Sequence, residues 1–133
     1  MSSSLITPRS ALVLFAHGAR DPQWAEPFRA IASSVIASRK DLTVKLAFLE
    51  LQPPSLADAI TELATTGHST IHIAPLFMAQ GGHLRQDVPK LLAEIRKRQP
   101  TLNIELLPAL GDVPGLRDAI AGWLADAVPE TSA

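Results

Sequence analysis

Two short runs in the chain, ALVLFA at 11–16 and STIHIAPLF at 69–77, are apolar at nearly every position. A strand open to water on one side alternates apolar and polar residues, so runs like these fit parallel strands covered on both faces. Two more runs, LTVKLAFL at 42–49 and LNIELLPAL at 102–110, complete a set of four. Each is followed by apolar residues at helical spacing: Trp24, Phe28, Ile31 and Val35; Leu56, Ile60 and Leu63; Val88, Leu91, Leu92 and Ile95; Leu116, Ile120, Trp123 and Leu124. Asp21-Pro22 signals the first helix, Pro27 marks a kink or a delayed start, and Ser55 is a plausible N-cap for the second. All four stripes read as ordinary core faces. Strand then helix, four times over, means an α/β fold: one open, four-stranded parallel sheet with right-handed crossovers and helices on both faces.

A chain of 133 residues fits one domain, 1–133, which buries roughly two-thirds of its unfolded surface. The core is expected over about 11–127, with tails 1–9 and 129–133 loose. The apolar fraction of 47% is too dispersed for a membrane span, and MSSSLITPRS lacks the layout of a secretion signal, which points to the cytoplasm. With no cysteine, disulfides, thiolate metal sites and cysteine nucleophiles are excluded together. A net charge of −1 and only four phenylalanines and two tryptophans give a nucleic-acid surface little support.

Ligands of open α/β sheets bind beyond the carboxyl ends of the strands. The residues there are His17 after the first strand, Glu50 after the second and His83 after the third, each 33 residues from the next. The equal spacing partly reflects the length of the repeating unit; the side-chain types carry more. With strand order 2-1-3-4 the three groups converge on one rim. Two imidazoles and a carboxylate suit a divalent ion such as Fe²⁺, Co²⁺ or Ni²⁺ and leave coordination positions open. The same groups accept protons near neutral pH. Pro53, Pro54, Leu76, Phe77 and Met78 would form an apolar wall for a flat organic ligand. Gly81-Gly82 would let the backbone approach a bulky group, and Arg20 and Arg85 could each take a carboxylate by a forked hydrogen bond.

With these residues assembled, the chain resembles the CbiX/SirB family of small class II chelatases. The resemblance rests on FAHGARD (15–21), FLELQPPSL (48–56) and PLFMAQGGHLRQDVP (75–89), and runs from about residue 11 to 127. It implies ATP-independent insertion of Co²⁺ or Fe²⁺, with Ni²⁺ in a related branch, into sirohydrochlorin. The metal would be a substrate and no cofactor would stay bound. His17 and His83 would hold the ion, Glu50 would assist as ligand or proton acceptor, and Arg20 and Arg85 would meet the macrocycle's acidic arms. Gly81, Gly82, Phe77 and Met78 would border the macrocycle. The length matches the short form, which is expected to pair as a homodimer around a shared cleft. Ala19 departs from the family's usual serine without removing a proposed ligand, and a histidine-rich tract of some relatives is missing.

Bland alternatives stand beside these readings. Arg20 and Arg85 could pair with Asp21 and Asp87 on the surface. His68, after Gly67, reads as solvated, and His72, inside the third strand, as a satisfied structural histidine. A non-catalytic metal or tetrapyrrole carrier on the same fold would need nearly the same residues. Phosphoryl transfer through His17 lacks the arginine expected just before it, where Ala16 stands, and no dinucleotide or phosphate-loop motif is present.

Overall fold

The computed structural model describes residues 9–79 and 81–131, with the side chain of His83 outside the description. The described residues form a four-stranded parallel sheet in the order β2-β1-β3-β4. The strands are β1 (Ser10–Ala16), β2 (Thr43–Phe48), β3 (Thr70–Pro75) and β4 (Asn103–Leu106), and the helices are α1 (Glu26–Ser38), α2 (Leu56–Thr65), α3 (Gly82–Arg98) and α4 (Pro114–Ala127). This is the expected α/β sheet with order 2-1-3-4. The third and fourth strands stop short of their apolar runs, at Pro75 and Leu106, because those runs continue past the sheet into the rim loops.

Several local expectations hold. A 3-10 turn at Pro22–Ala25 precedes α1, so Pro27 falls in the helix's first turn, where its missing N–H breaks no helical bond. The Ser55 hydroxyl accepts from the Asp58 N–H at 3.1 Å and caps α2.

The two faces of the sheet differ. On one, Val13, Phe15, Ala47, Ile71, Ile73 and Ile104 pack against Leu56, Ile60 and Leu63 of α2 and Val88, Leu92 and Ile95 of α3, forming the main core. On the other, a smaller cluster joins Ala16, Ala25 and Phe48 to the half-buried Trp24, Phe28 and Leu46 under the start of α1. Fully burying one such large side chain contributes about 1.5–3 kcal/mol, so the first face dominates the stability.

Two expectations are corrected here. The fourth stripe is not a core face within the chain: Leu116, Leu124 and Trp123, the last 66% exposed, face solvent, and only Ile120 is half-buried. The α1 stripe is covered in part: Trp24, Phe28 and Val35 are half-buried, while Ile31 is exposed, as is Ile36 outside the stripe. Helical periodicity shows that a face needs an apolar partner, not that the same chain supplies it. The last strand, β4, is only four residues long and sets Glu105 against His72 of β3.

His68 is also not solvated. It is 4% exposed, where the turn after α2 folds back against β2. Its Nδ1–H donates to the Leu63 carbonyl at 3.0 Å, and its Nε2 accepts from the Thr43 hydroxyl at 2.8 Å. The carbonyl can only accept, which sets this tautomer. His72 lies with its Nδ1 at 3.1 Å from the Glu105 carboxylate on the neighbouring strand.

Candidate functional site

Strand β1 ends at Ala16 and β2 at Phe48, and the parallel pairing runs on for two more bonds. Leu49 N–H donates to Ala16 O at 2.9 Å and Glu50 N–H to His17 O at 3.1 Å. The two loops therefore leave the rim side by side. Gly18, at φ +99°, makes this approach feasible: a Cβ there would sit 1.9 Å from the Glu50 carbonyl oxygen. Only glycine combines that conformation with that contact.

This pairing sets His17 Nε2 3.0 Å from Glu50 Oε1, with the two side chains 51% and 55% exposed. A carboxylate only accepts, so Nε2 carries the proton and Nδ1 of the neutral ring keeps its lone pair. A carboxylate on one ring nitrogen fixes the orientation of the imidazole and leaves the other nitrogen to face a ligand. On its other side the ring meets Phe77 edge-on, centroids 6.3 Å apart, and Phe77 in turn meets Phe15 edge-on at 5.6 Å. Phe77 is only 8% exposed. Its main surface goes to the core and to His17, whereas Met78 beside it stands exposed on the rim.

The loop after β3 is held from below. Leu110 N–H donates to Phe77 O at 3.0 Å and Gly111 N–H to Met78 O at 2.8 Å. A Cβ on Gly111 would lie 2.0 Å from that Met78 oxygen. The loop then enters α3, with Gly81 at its N-cap and His83 and Arg85 in the first turn. The proposed third ligand, the His83 side chain, lies outside the described residues, and among the described residues no cluster of three metal-ligating side chains forms. Gly81 and Gly82 are exposed, and a Cβ on either would meet open space.

Arg20 and Arg85 are both exposed and form no ion pair with Asp21 or Asp87 among the described residues. Asp21 instead accepts from Gln23 N–H at 2.9 Å and caps the 3-10 turn. His72 lies mid-strand opposite Leu12, five residues short of His17 and so roughly 16 Å from the rim. The residue that sequence reasoning missed is Gln52, whose side-chain oxygen accepts from the Ala19 N–H at 3.0 Å. A long-range side chain-to-backbone bond leaves no mark in composition or periodicity.

The fold and rim together define an open α/β domain with an imidazole–carboxylate pair at its ligand-binding edge. The chain belongs to the CbiX family, whose model matches residues 11–127. It is 31% identical over 100 residues to the sirohydrochlorin cobaltochelatase of Methanosarcina acetivorans, covering 75% of this chain and 77% of that one. It is 30% identical over 122 residues to the enzyme of the same name from Saccharolobus solfataricus, covering 90% and 94%. Among solved structures, a protein described as a cobalamin biosynthesis CbiX protein from Marinobacter aquaeolei superposes with a TM-score of 0.78. It is 30% identical, over 89% of this chain and 96% of that one. SirB from Bacillus subtilis, solved with Fe³⁺, shares the fold at a TM-score of 0.75 and 22% identity, and this chain spans 48% of its length.

Proposed function

We propose that this chain inserts a divalent metal into sirohydrochlorin without ATP. The reading is carried by the His17–Glu50 pair at 3.0 Å on the carboxyl rim, in a member of the CbiX family. The relatives' shared name favours Co²⁺; Fe²⁺ and Ni²⁺ are accepted by the same ligand types. The product would serve cobalamin or, with iron, siroheme synthesis. Residues 1–133 act as one chelatase domain in the cytoplasm.

In this mechanism His17 and His83 hold the incoming ion and Glu50 assists. As metal–nitrogen bonds form, two pyrrole protons leave. Imidazole and carboxylate at the rim collect them, a general-base contribution of typically about 10²–10⁴-fold. Arg20 and Arg85 meet the macrocycle's carboxylates, with Met78, Gly81 and Gly82 beside the ring and Phe77 behind His17.

The working unit is a homodimer. Supporting this, the chain spans 48% of a larger protein of the same fold, and it exposes Ile31 and Ile36 on α1 and Leu116, Trp123 and Leu124 on α4. Faces that are apolar and uncovered are where stable partners bind.

Purified protein, sirohydrochlorin and Co²⁺, Fe²⁺ or Ni²⁺ in parallel test the reading. Multiple-turnover spectral change well above the protein-free rate is the expected result. Stoichiometric binding with no rate gain would replace it with the carrier reading.

A further inference from the structure

We infer that Gln52 is a positioning residue for the His17–Glu50 pair, an inference that rests on the chelatase reading of that pair. The backbone bonds joining the two rim loops end with Glu50 N–H to His17 O. Beyond this point Leu51 takes a left-handed conformation, at φ 69°, and the chain folds back so that Pro54 O accepts from Phe48 N–H at 2.9 Å. On the facing loop, two residues past His17, the Ala19 N–H makes no backbone bond among the described residues. Gln52 supplies the acceptor instead, its Oε1 lying 3.0 Å from Ala19 N in a half-buried setting.

The arrangement clamps Glu50 from both sides. Its own N–H is held by His17, and two residues later the Gln52 side chain is held by Ala19, two residues past His17. Both functional side chains are half exposed and lack packing that would hold them, apart from the Phe77 edge against His17. Beyond their own 3.0 Å bond, their separation is set by how firmly the loops are joined. Without the Gln52 bond, Gly18 would be free to swing, since its positive φ is reachable from many glycine conformations. An asparagine is one methylene too short for the same span, and a methionine matches the length without an oxygen.

The test compares Gln52→Met with Gln52→Glu, which keeps an oxygen for the Ala19 amide. In Gln52→Met, hydrogen exchange of the Ala19 amide should quicken, Co²⁺ titrated alone should bind about tenfold more weakly, and kcat for insertion should fall by about tenfold to a hundredfold with KM for the macrocycle little changed. Gln52→Glu should restore Ala19 protection and bring kcat back to within about threefold. Wild-type Co²⁺ affinity and kcat in Gln52→Met would overturn the inference. So would a Gln52→Glu variant no better than Gln52→Met, which would assign the effect to packing or to the lost amide group. Amide exchange and Co²⁺ affinity need no macrocycle, so they separate failure of this inference from failure of the chelatase reading.

Discussion

His17 Nε2 and Glu50 Oε1 lie 3.0 Å apart although 33 residues separate them in the chain. Adjacent parallel strands β1 and β2 deliver them to the same rim, and two further backbone bonds keep the loops in register. The pair is exposed enough to reach a ligand, yet its backbone is held on both sides.

Removing the imidazole should abolish most of the activity while leaving the fold. In His17→Ala, metal insertion should fall by about 10²–10⁴-fold, with a melting temperature close to wild type because the ring is half exposed. Glu50→Gln should lose less, since the amide oxygen still accepts from Nε2–H but no longer takes a proton. Wild-type turnover in both variants would remove the pair from the mechanism.

Gly18→Ala should damage both stability and activity. The left-handed conformation costs an alanine roughly 1–2 kcal/mol, before the contact with the Glu50 carbonyl is relieved by pushing the loops apart. Urea unfolding should report the first loss, and a turnover deficit in the still-folded fraction the second. Gly111→Ala, against the Met78 oxygen, should destabilise for the same steric reason.

The buried His68 should matter to stability and not to chemistry. His68→Leu strips the Thr43 hydroxyl of its partner, a cost of about 1–3 kcal/mol for the group left unsatisfied, while the Leu63 carbonyl still accepts from the backbone N–H of residue 68. Turnover of the folded variant, measured below its melting point, should match wild type.

Arg85→Ala should weaken macrocycle binding more than it slows turnover. A charge-assisted bond to a carboxylate contributes about 1.5–3 kcal/mol, which predicts a KM raised by roughly tenfold or more at nearly constant kcat. An unchanged KM would leave Arg85 as a surface residue.

Trp123→Asp should leave the monomer folded, because the indole touches little of its own chain at 66% exposure. Light scattering should find dimers in the wild type and monomers in the variant, with lower activity per chain. A monomeric, fully active wild type would overturn the dimer.

Much of this was legible in the residues. Near-continuous apolar runs announced parallel strands, and placing His17 and Glu50 at strand ends followed from where such sheets bind ligands. Ser55 and Pro27 marked helix starts because capping and proline chemistry are local. His68 was misread because its burial depends on the turn after α2 folding back onto β2, a contact 25 residues away. The α4 stripe was misread because periodicity names an apolar face without naming its partner.

The sequence by itself therefore determined the fold class, the order of elements and the residue types at the rim, since each rests on local pattern and backbone chemistry. Only the tertiary structure decided that Glu50 reaches His17, that Phe77 backs the imidazole instead of facing outward, and that Gln52 joins the loops. Those relations are distances between segments far apart in the chain, and they exist only once the sheet has brought the strand ends together.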